Sequence, residues 1–322
     1  MINVRWIAAA ALAASGALAI SPAWAEDAFP QRPVKIIVQT AAGSSIDVAA
    51  RIVAEGLSRR WGQQAVVMNQ PGAGGALAAK SLANANPDGE TLLFAASSIF
   101  IALPELQKAQ AASIDAFMPI AFVGEQPMAM AITASHDAKT FAQALQAITA
   151  TPGGYNCAVS TRGGLSHLSG ESLKAASGVD MTFINYQGTS QALTDVISGR
   201  VPIVVDSLSA FIGPSIGGQI RILAVGSAQR LKNMPDLPAM SETLPGFEAT
   251  AWVALAAPPG TSPALAARIS RDVDAVLDDK AVVARLEELG TYVKRMSPVE
   301  LTSFIKDQRV KWAPVVQKFG VP

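Results

Sequence analysis

Residues 34–59 read as strand, tight loop and helix in one sweep, and this unit sets what the rest of the chain has to cover. Val34-Lys35-Ile36-Ile37-Val38 is a short β-branched run suited to a buried strand. Thr40-Ala41-Ala42-Gly43-Ser44-Ser45 follows with small side chains only, so nothing bulky screens its backbone. From Asp47 onward Ala49, Ile52, Val53, Gly56 and Leu57 recur at helical spacing, while Arg51, Glu55, Arg59 and Arg60 fall largely on the other side. The spacing predicts a helix that begins near Ser45. A helix start leaves its first amide N–H groups unpartnered and carries about half a positive charge, so this loop can hold an anion such as a carboxylate without Lys or Arg. A capping box, with Ser44 as cap and Asp47 reaching back to it, accounts for the same residues without a ligand.

The alternation continues. Ala65-Val66-Val67-Met68 is a second strand that runs into Asn69-Gln70-Pro71-Gly72-Ala73-Gly74-Gly75. That loop lacks the third glycine of G-x-G-x-x-G and the Lys-Ser/Thr pair of a P-loop. It is therefore read as a turn into an alanine-rich helix over 76–85. After the turn Pro87-Asp88-Gly89, Thr91-Leu92-Leu93-Phe94 is a third strand ending in Ala95-Ala96-Ser97-Ser98. Such alternation predicts a parallel sheet flanked by helices, with ligands at the carboxyl ends of the strands, where residues 40–45 and Ser97-Ser98 would lie side by side.

Short strands at 120–123 and 129–133 precede a second unit of the same pattern. A strand over 156–159 leads through Ser160-Thr161-Arg162-Gly163-Gly164-Leu165-Ser166 into a helix holding His167, Leu168 and Glu171. Thr182-Phe183-Ile184-Asn185 leads through Tyr186-Gln187-Gly188-Thr189-Ser190 into a helix carrying Ala192, Leu193, Val196 and Ile197, a third helix start able to take an anion. Ile203-Val204-Val205-Asp206 and Ile222-Leu223-Ala224-Val225 are further strands; 235–245 crosses the surface, and Trp252-Val253-Ala254-Leu255-Ala256 returns to the first unit. Three amphipathic helices close the chain as scaffolding, punctuated by Ser262-Pro263, Gly290 and the capping box Ser297-Pro298-Val299-Glu300.

With 322 residues, 50% of them hydrophobic, the chain has core material for one large or two ordinary domains. Lys plus Arg equals Asp plus Glu at 25 each, with no basic run, so nucleic acid is not an expected partner. Residues 1–25 carry Arg5, an apolar stretch over 7–20 and Ala23-Trp24-Ala25, the pattern of a secretory signal cleaved after Ala25. A membrane anchor needs roughly 20 apolar residues, more than this run offers. Cys157 is the sole cysteine, so no internal disulfide forms, and it lies too far from the cleavage site for a lipid anchor. His136 and His167 are the only histidines, and no G-x-S-x-G, H-E-x-x-H or C-x-x-C occurs, so no catalytic residue, metal or cofactor is expected. Cys157 is read as a small buried apolar group, His167 as a packing residue at a helix start, and Asp195, Asp278-Asp279 and Glu287-Glu288 as solvated helix faces.

Taken together, Val34-Lys35-Ile36-Ile37-Val38 with Ala42-Gly43 and residues 47–51, the run over 69–75, Pro87-Asp88-Gly89, Ser166-His167-Leu168, Tyr186-Gln187-Gly188 with Ala192 and Asp195, and Pro258-Pro259-Gly260-Thr261 carry more than generic α/β character. In order and spacing they resemble the Bug family, the extracytoplasmic solute receptors of tripartite tricarboxylate transporters. The resemblance covers essentially the whole chain after residue 25. It implies an α/β, two-lobed type II periplasmic-binding-protein fold, each lobe a mainly parallel sheet flanked by helices, with the ligand cleft between lobes. Residues 26–123 would begin lobe 1, 124–245 would form lobe 2, and 246–322 would complete lobe 1. It further implies a monomeric periplasmic receptor that captures a small carboxylate (a di- or tricarboxylate, an amino acid or an aromatic acid) and passes it to membrane permease subunits or reports it to a sensor, breaking no bond. An exported enzyme on this fold would instead rely on Cys157, His167 or Asp206.

The ligand-binding set expected on these grounds is Thr40, Ala42, Gly43, Ser44, Ser45, Asp47, Ser97, Ser98, Ser160, Thr161, Arg162, Ser166, Tyr186, Gly188, Thr189 and Asp206. Amides and hydroxyls hold the anion, while Asp47 orders the first loop or a water. Asp206 either receives an ammonium or hydroxyl group of the ligand or caps a turn. Where the family usually carries Pro and an aromatic residue followed by Gly-Gly, this chain has Gln39, Thr40 and Gly43-Ser44, which removes a ring from the pocket. Arg162 lies where the family commonly has neutral side chains; facing inward it would pair bidentately with a second carboxylate, and facing outward it is a solvated loop arginine.

Overall fold

The structure is a computed structural model and describes residues 29–160, 162, 164–186 and 188–319; the expected export signal and Thr161 lie outside the described residues. The first part of the chain forms β1 (Val34–Val38), α1 (Ser45–Trp61), β2 (Ala65–Asn69), α2 (Ala76–Ala83), β3 (Thr91–Ala96), three short helices α3 (Ser97–Ile101), α4 (Leu103–Leu106) and α5 (Lys108–Asp115), and the long β4 (Met118–Thr133). The middle forms α6 (Phe141–Ala150), β5 (Tyr155–Val159), α7 (Leu165–Ser177), β6 (Met181–Asn185), α8 (Thr189–Ile197), β7 (Ile203–Ser207), α9 (Ser209–Ile216) and β8 (Ile220–Val225). The chain ends with β9 (Thr250–Ala257), α10 (Pro263–Leu277), α11 (Lys280–Glu288), β10 (Tyr292–Val293) and α12 (Pro298–Phe319).

The opening unit folds as its periodicity dictates. Ser44, in extended backbone, accepts the Asp47 amide at 3.2 Å, and Gly62 at φ 64° ends α1 with its own N–H on the Ser58 carbonyl. Between those caps Ala49, Ala50, Ile52, Val53 and Leu57 are buried against Val34, Ile36 and Val38 of β1 and against α10 and α11. Each buried Ile, Val or Leu side chain among them contributes about 1.5–3 kcal/mol by leaving water, and each alanine less. On the opposite face of the same sheet, α2 to α5 and α12 cover Leu93, Phe122 and Trp252, with Phe100 of α3 stacked on Trp252 at 5.5 Å.

Among the named strands of the described residues, parallel pairing falls in two trios, β2-β1-β3 in the first lobe and β6-β5-β7 in the second. Around them the sheets are mixed: β9 runs antiparallel to both β3 and β4, and β7, β8 and β10 run antiparallel to β4. A chain that leaves one lobe on β4 and re-enters it on the adjacent β9 must place those two strands antiparallel.

The two strands expected at 120–123 and 129–133 are one 16-residue strand. Gly124 and Pro127, which read as a break, are held in extended form by β9, whose Val253 and Thr250 pair with them. At Met128 the strand changes partners, from β9 in the first lobe to β7 in the second. A boundary drawn at 123/124 therefore cuts through a continuous strand, and the lobes are joined through it. They also touch across their surfaces, since Leu168 of α7 is buried in the cluster that contains Trp252, Leu301 and Ile305 of the first lobe.

Candidate functional site

A cavity of about 510 Å³ opens between the lobes, within the size range of small-molecule sites. The first lobe contributes Thr40, Ser45, Ile46, residues 72–75 and Ser98; the second contributes Ser160, Arg162, Gly164, Leu165, Ser166, Thr189 and Asp206. Gln126, Met128 and Ala251 of the crossing strands β4 and β9 lie between the two sides.

Three helix starts meet this space. At α1 the loop is internally bonded: Thr40 Oγ1 and Ser44 Oγ are 2.7 Å apart, and Asp47 Oδ2 accepts the Gly43 amide at 2.9 Å. The Asp47 carboxylate therefore reaches back to Gly43 and not to Ser44, so the capping box is incomplete and the Gly43 amide is occupied. Ser45 and Ile46, the first two residues of the helix, are the ones on the cavity wall. At α7 the cap is Gly164 and at α8 it is Gly188; neither offers a side-chain acceptor, and Gly164, Leu165, Ser166 and Thr189 line the cavity. First-turn residues of all three helices thus line the cavity, from both lobes, and the first amides of a helix have no intrahelical acceptor.

Asp47 is 2% exposed and sits behind the first loop, bonded by Arg51, by the Gly43 amide and by Asn69 Nδ2 at 2.8 Å. Burial pulls its pKa upward, but the hydrogen bonds from Arg51, Gly43 and Asn69 outweigh burial together and leave it below the ordinary carboxylate value. Asn69 also donates to the Thr40 carbonyl at 3.0 Å, so one side chain ties β2 to the ligand-facing loop.

In the second lobe Asp206, 5% exposed, accepts the Ser207 amide at 2.7 Å and the Thr189 hydroxyl at 3.0 Å, and the Ser160 side chain bonds it as well. Burial raises its pKa, and these three donors only partly oppose that. Ser166 Oγ is committed to the frame, donating to the Val205 carbonyl at 2.5 Å and accepting the Ser160 amide at 3.0 Å. Arg162 is exposed to solvent yet lines the cavity.

Of the remaining expected residues, Ala42, Gly43, Ser44, Asp47, Ser97, Tyr186 and Gly188 are not on the cavity wall. Ser97 and Ser98 open α3 and are not a loop, with Ser97 fully buried and Ser98 on the wall. The Tyr186 hydroxyl donates to Asp195 at 2.8 Å; burial first, then the Asp195 hydrogen bond, push its pKa up to about 12. Asp195, expected to be a solvated face, is held by Tyr186 and Arg200 and braces the loop before α8.

Several wall residues escaped the sequence. Gln39 is 8% exposed, and its amide donates to the Phe94 carbonyl at 3.2 Å and accepts the Ala96 amide at 2.9 Å, locking β1 to β3 beside the cavity. Gln126 donates to Thr291 at 2.9 Å. Residues 72–75, read as a packing turn, form part of the wall; Gly75 at φ 99° is in a backbone conformation that favours glycine, and a Cβ there would also displace the Ile99 Cδ1 methyl, 2.3 Å away. Ala73 holds φ 48°, a left-handed conformation that non-glycine residues adopt at some cost. Glycine density was the available signal.

The other reactive side chains lie off this wall. Cys157 is fully buried, and burial pushes its thiol far above the usual range. His167 is 6% exposed with its ring edge-on to Phe183 at 5.5 Å; burial, then the Arg162 charge, lower its pKa. Among the described residues no cluster of three or more His, Cys, Asp or Glu can hold a metal, and no helix is long and apolar enough to cross a membrane.

Two lobes on mixed sheets, joined by adjacent crossing strands and meeting at a cleft lined by strand ends and helix starts, define a periplasmic-type solute-binding protein. The family model for the tripartite tricarboxylate transporter family receptor matches residues 49–321, and the chain belongs to that family. It is similar to BugT of Bordetella pertussis, 30% identical over 297 residues covering 91% of each chain. Among solved structures it is similar to Rpa4515 of R. palustris with adipate, at 28% identity and TM-score 0.82, covering 91% of this chain and 98% of that one. MatC from Rhodopseudomonas palustris with bound malate is 30% identical, with TM-score 0.77, covering 89% of this chain and all of that one.

Proposed function

We propose that this receptor closes its two lobes on a small carboxylate and seats one carboxylate group on the first-turn amides of α1, α7 and α8. The observation that carries this is the convergence of three helix starts, two of them without a side-chain cap, on one cavity of about 510 Å³. Neutral amide donors at helix starts can hold an anion without a paired cation. Arg162 on the same wall supports a second carboxylate as a bidentate partner. The adipate and malate named with two structural relatives are both diacids, in keeping with that reading. The protein acts in the periplasm after removal of residues 1–25, as a monomer, and passes its solute to membrane permease subunits or reports it to a sensor; it breaks no bond.

The test is a thermal-shift panel of mono-, di- and tricarboxylates, amino acids and aromatic acids on the mature protein, with X-ray scattering on any compound that binds. A raised melting temperature with a smaller radius of gyration is expected. A panel without a single shift, or turnover of a bound acid, overturns the proposal.

A further inference from the structure

We propose that Asp206 takes up a proton from solvent when the receptor captures its anion, so that the neutral acid donates a hydrogen bond to a carboxylate of the solute. This rests on the receptor reading above and adds to it a proton bound together with the solute. Asp206, 5% exposed near the end of β7, stands on the cavity wall, and the groups that bond it are the Ser207 amide and the Thr189 and Ser160 hydroxyls, all neutral. Asp47 of the other lobe is also screened from solvent, but Arg51 clamps it and holds it ionised. Asp206 has no such cation, and burial keeps its carboxyl above the ordinary value.

An anion seated at the start of α8 lies beside this carboxyl, because Thr189 opens that helix and its hydroxyl is 3.0 Å from Asp206 Oδ2. Two ionised carboxylates in so small a volume repel each other. One proton held between them turns the repulsion into a charge-assisted hydrogen bond. The donors decide which oxygen takes it. Oδ1 faces the Ser207 amide, which can only donate, whereas Oδ2 faces the Thr189 hydroxyl, which can turn to accept or to serve the solute. The titratable groups on the neighbouring elements are few. On β5 the Cys157 thiol is held protonated by burial, and on β4 the residue in register with Asp206 is Ala129. On α7 His167, 3.6 Å from Glu171, has its pKa lowered by burial and by the Arg162 charge. Arg162 itself is exposed on the wall and stays charged. Asp195 of α8 is held by Tyr186 and Arg200, and α9 carries no ionisable side chain.

The deciding experiment is calorimetry on the mature full chain with adipate, malate, succinate and benzoate as probes. It is run in buffers of unlike ionisation enthalpy between about pH 6.5 and 8.5, where the probes themselves stay ionised. The dependence of the observed heat on the buffer counts the protons taken up. The native chain should take up about half a proton or more per bound probe, with affinity falling by up to about tenfold per unit as pH rises. Asp206→Asn, whose amide donates without titrating, should bind with no uptake and with an affinity independent of pH. Infrared difference spectra of the native chain should gain a protonated-carboxyl stretch on binding, a readout that decides even if the variant does not fold. Binding without proton uptake or that stretch overturns the assignment and leaves the carboxylate receptor standing. Uptake that persists in Asp206→Asn overturns it in favour of another group, His167 first. Should neither the probes nor the wider acid panel bind the native protein, both proposals fall.

Discussion

Arg51 clamps Asp47 from one helical turn away, with Nε 3.0 Å from Oδ2 and Nη2 3.0 Å from Oδ1, so a half-exposed guanidinium neutralises a carboxylate that is 2% exposed. That carboxylate in turn holds the Gly43 amide and Asn69 and thereby the loop entering α1. Arg51→Ala leaves the acid buried without its cation and should cost about 1–3 kcal/mol in denaturant unfolding. The pH dependence has a definite sign. The folded pKa of Asp47 lies below its unfolded value, so its stabilisation is complete above that unfolded value, near pH 4, and is lost as pH falls through the folded one. Asp47→Asn should flatten the acid limb of the stability profile; an unchanged limb would show that the network contributes nothing.

Arg162 meets the same cavity as the helix starts without an ion-pair partner among the described residues, which frees it for a ligand. Arg162→Gln should weaken binding of a diacid about tenfold while changing a monoacid much less. Equal losses for both, measured by titration calorimetry, would assign the arginine to loop structure.

Gly226 donates to the Met128 carbonyl at 2.7 Å and accepts the Ala249 amide at 2.8 Å, where the chain passes between the lobes. A Cβ there would stand 2.3 Å from the Ala249 carbonyl oxygen, a backbone atom that cannot swing aside. Gly226→Ala should destabilise the fold by about 1–3 kcal/mol and reduce ligand-induced compaction in scattering. Wild-type stability and compaction in this variant would mean that the crossing tolerates a shift.

Cys157 is fully buried in β5 with its thiol held protonated by burial. A thiol reagent should leave native protein unlabelled at neutral pH and modify one group per chain in denaturant. Prompt labelling of the native form would place the sulfur on an accessible surface.

Most strand positions were legible as short apolar runs between turn residues, and the β-branched β1 was bounded correctly at Val34 and Val38. The span over 97–115 was not, since its three short helices have little periodicity of their own and owe their form to packing under α12. Continuity of β4 was hidden for a similar reason: Gly124 and Pro127 signal a break locally, and only β9, more than a hundred residues later, keeps them extended. Within the cavity, Thr40, Ser45, Ser98, Ser160, Arg162, Ser166, Thr189 and Asp206 were readable because they end strands or start helices. Gln39 and Gln126 gave no such signal, since their position on the wall depends on which strands become neighbours.

The 16-residue strand shared by both sheets has a mechanical consequence. A swivel on a slack linker would leave the outer strands of each sheet indifferent to occupancy, whereas torque applied to a common ladder spreads along it. Spectroscopic labels on β2 and β6, the outermost strands of the two lobes, should then register a trapped solute at a distance from the cleft.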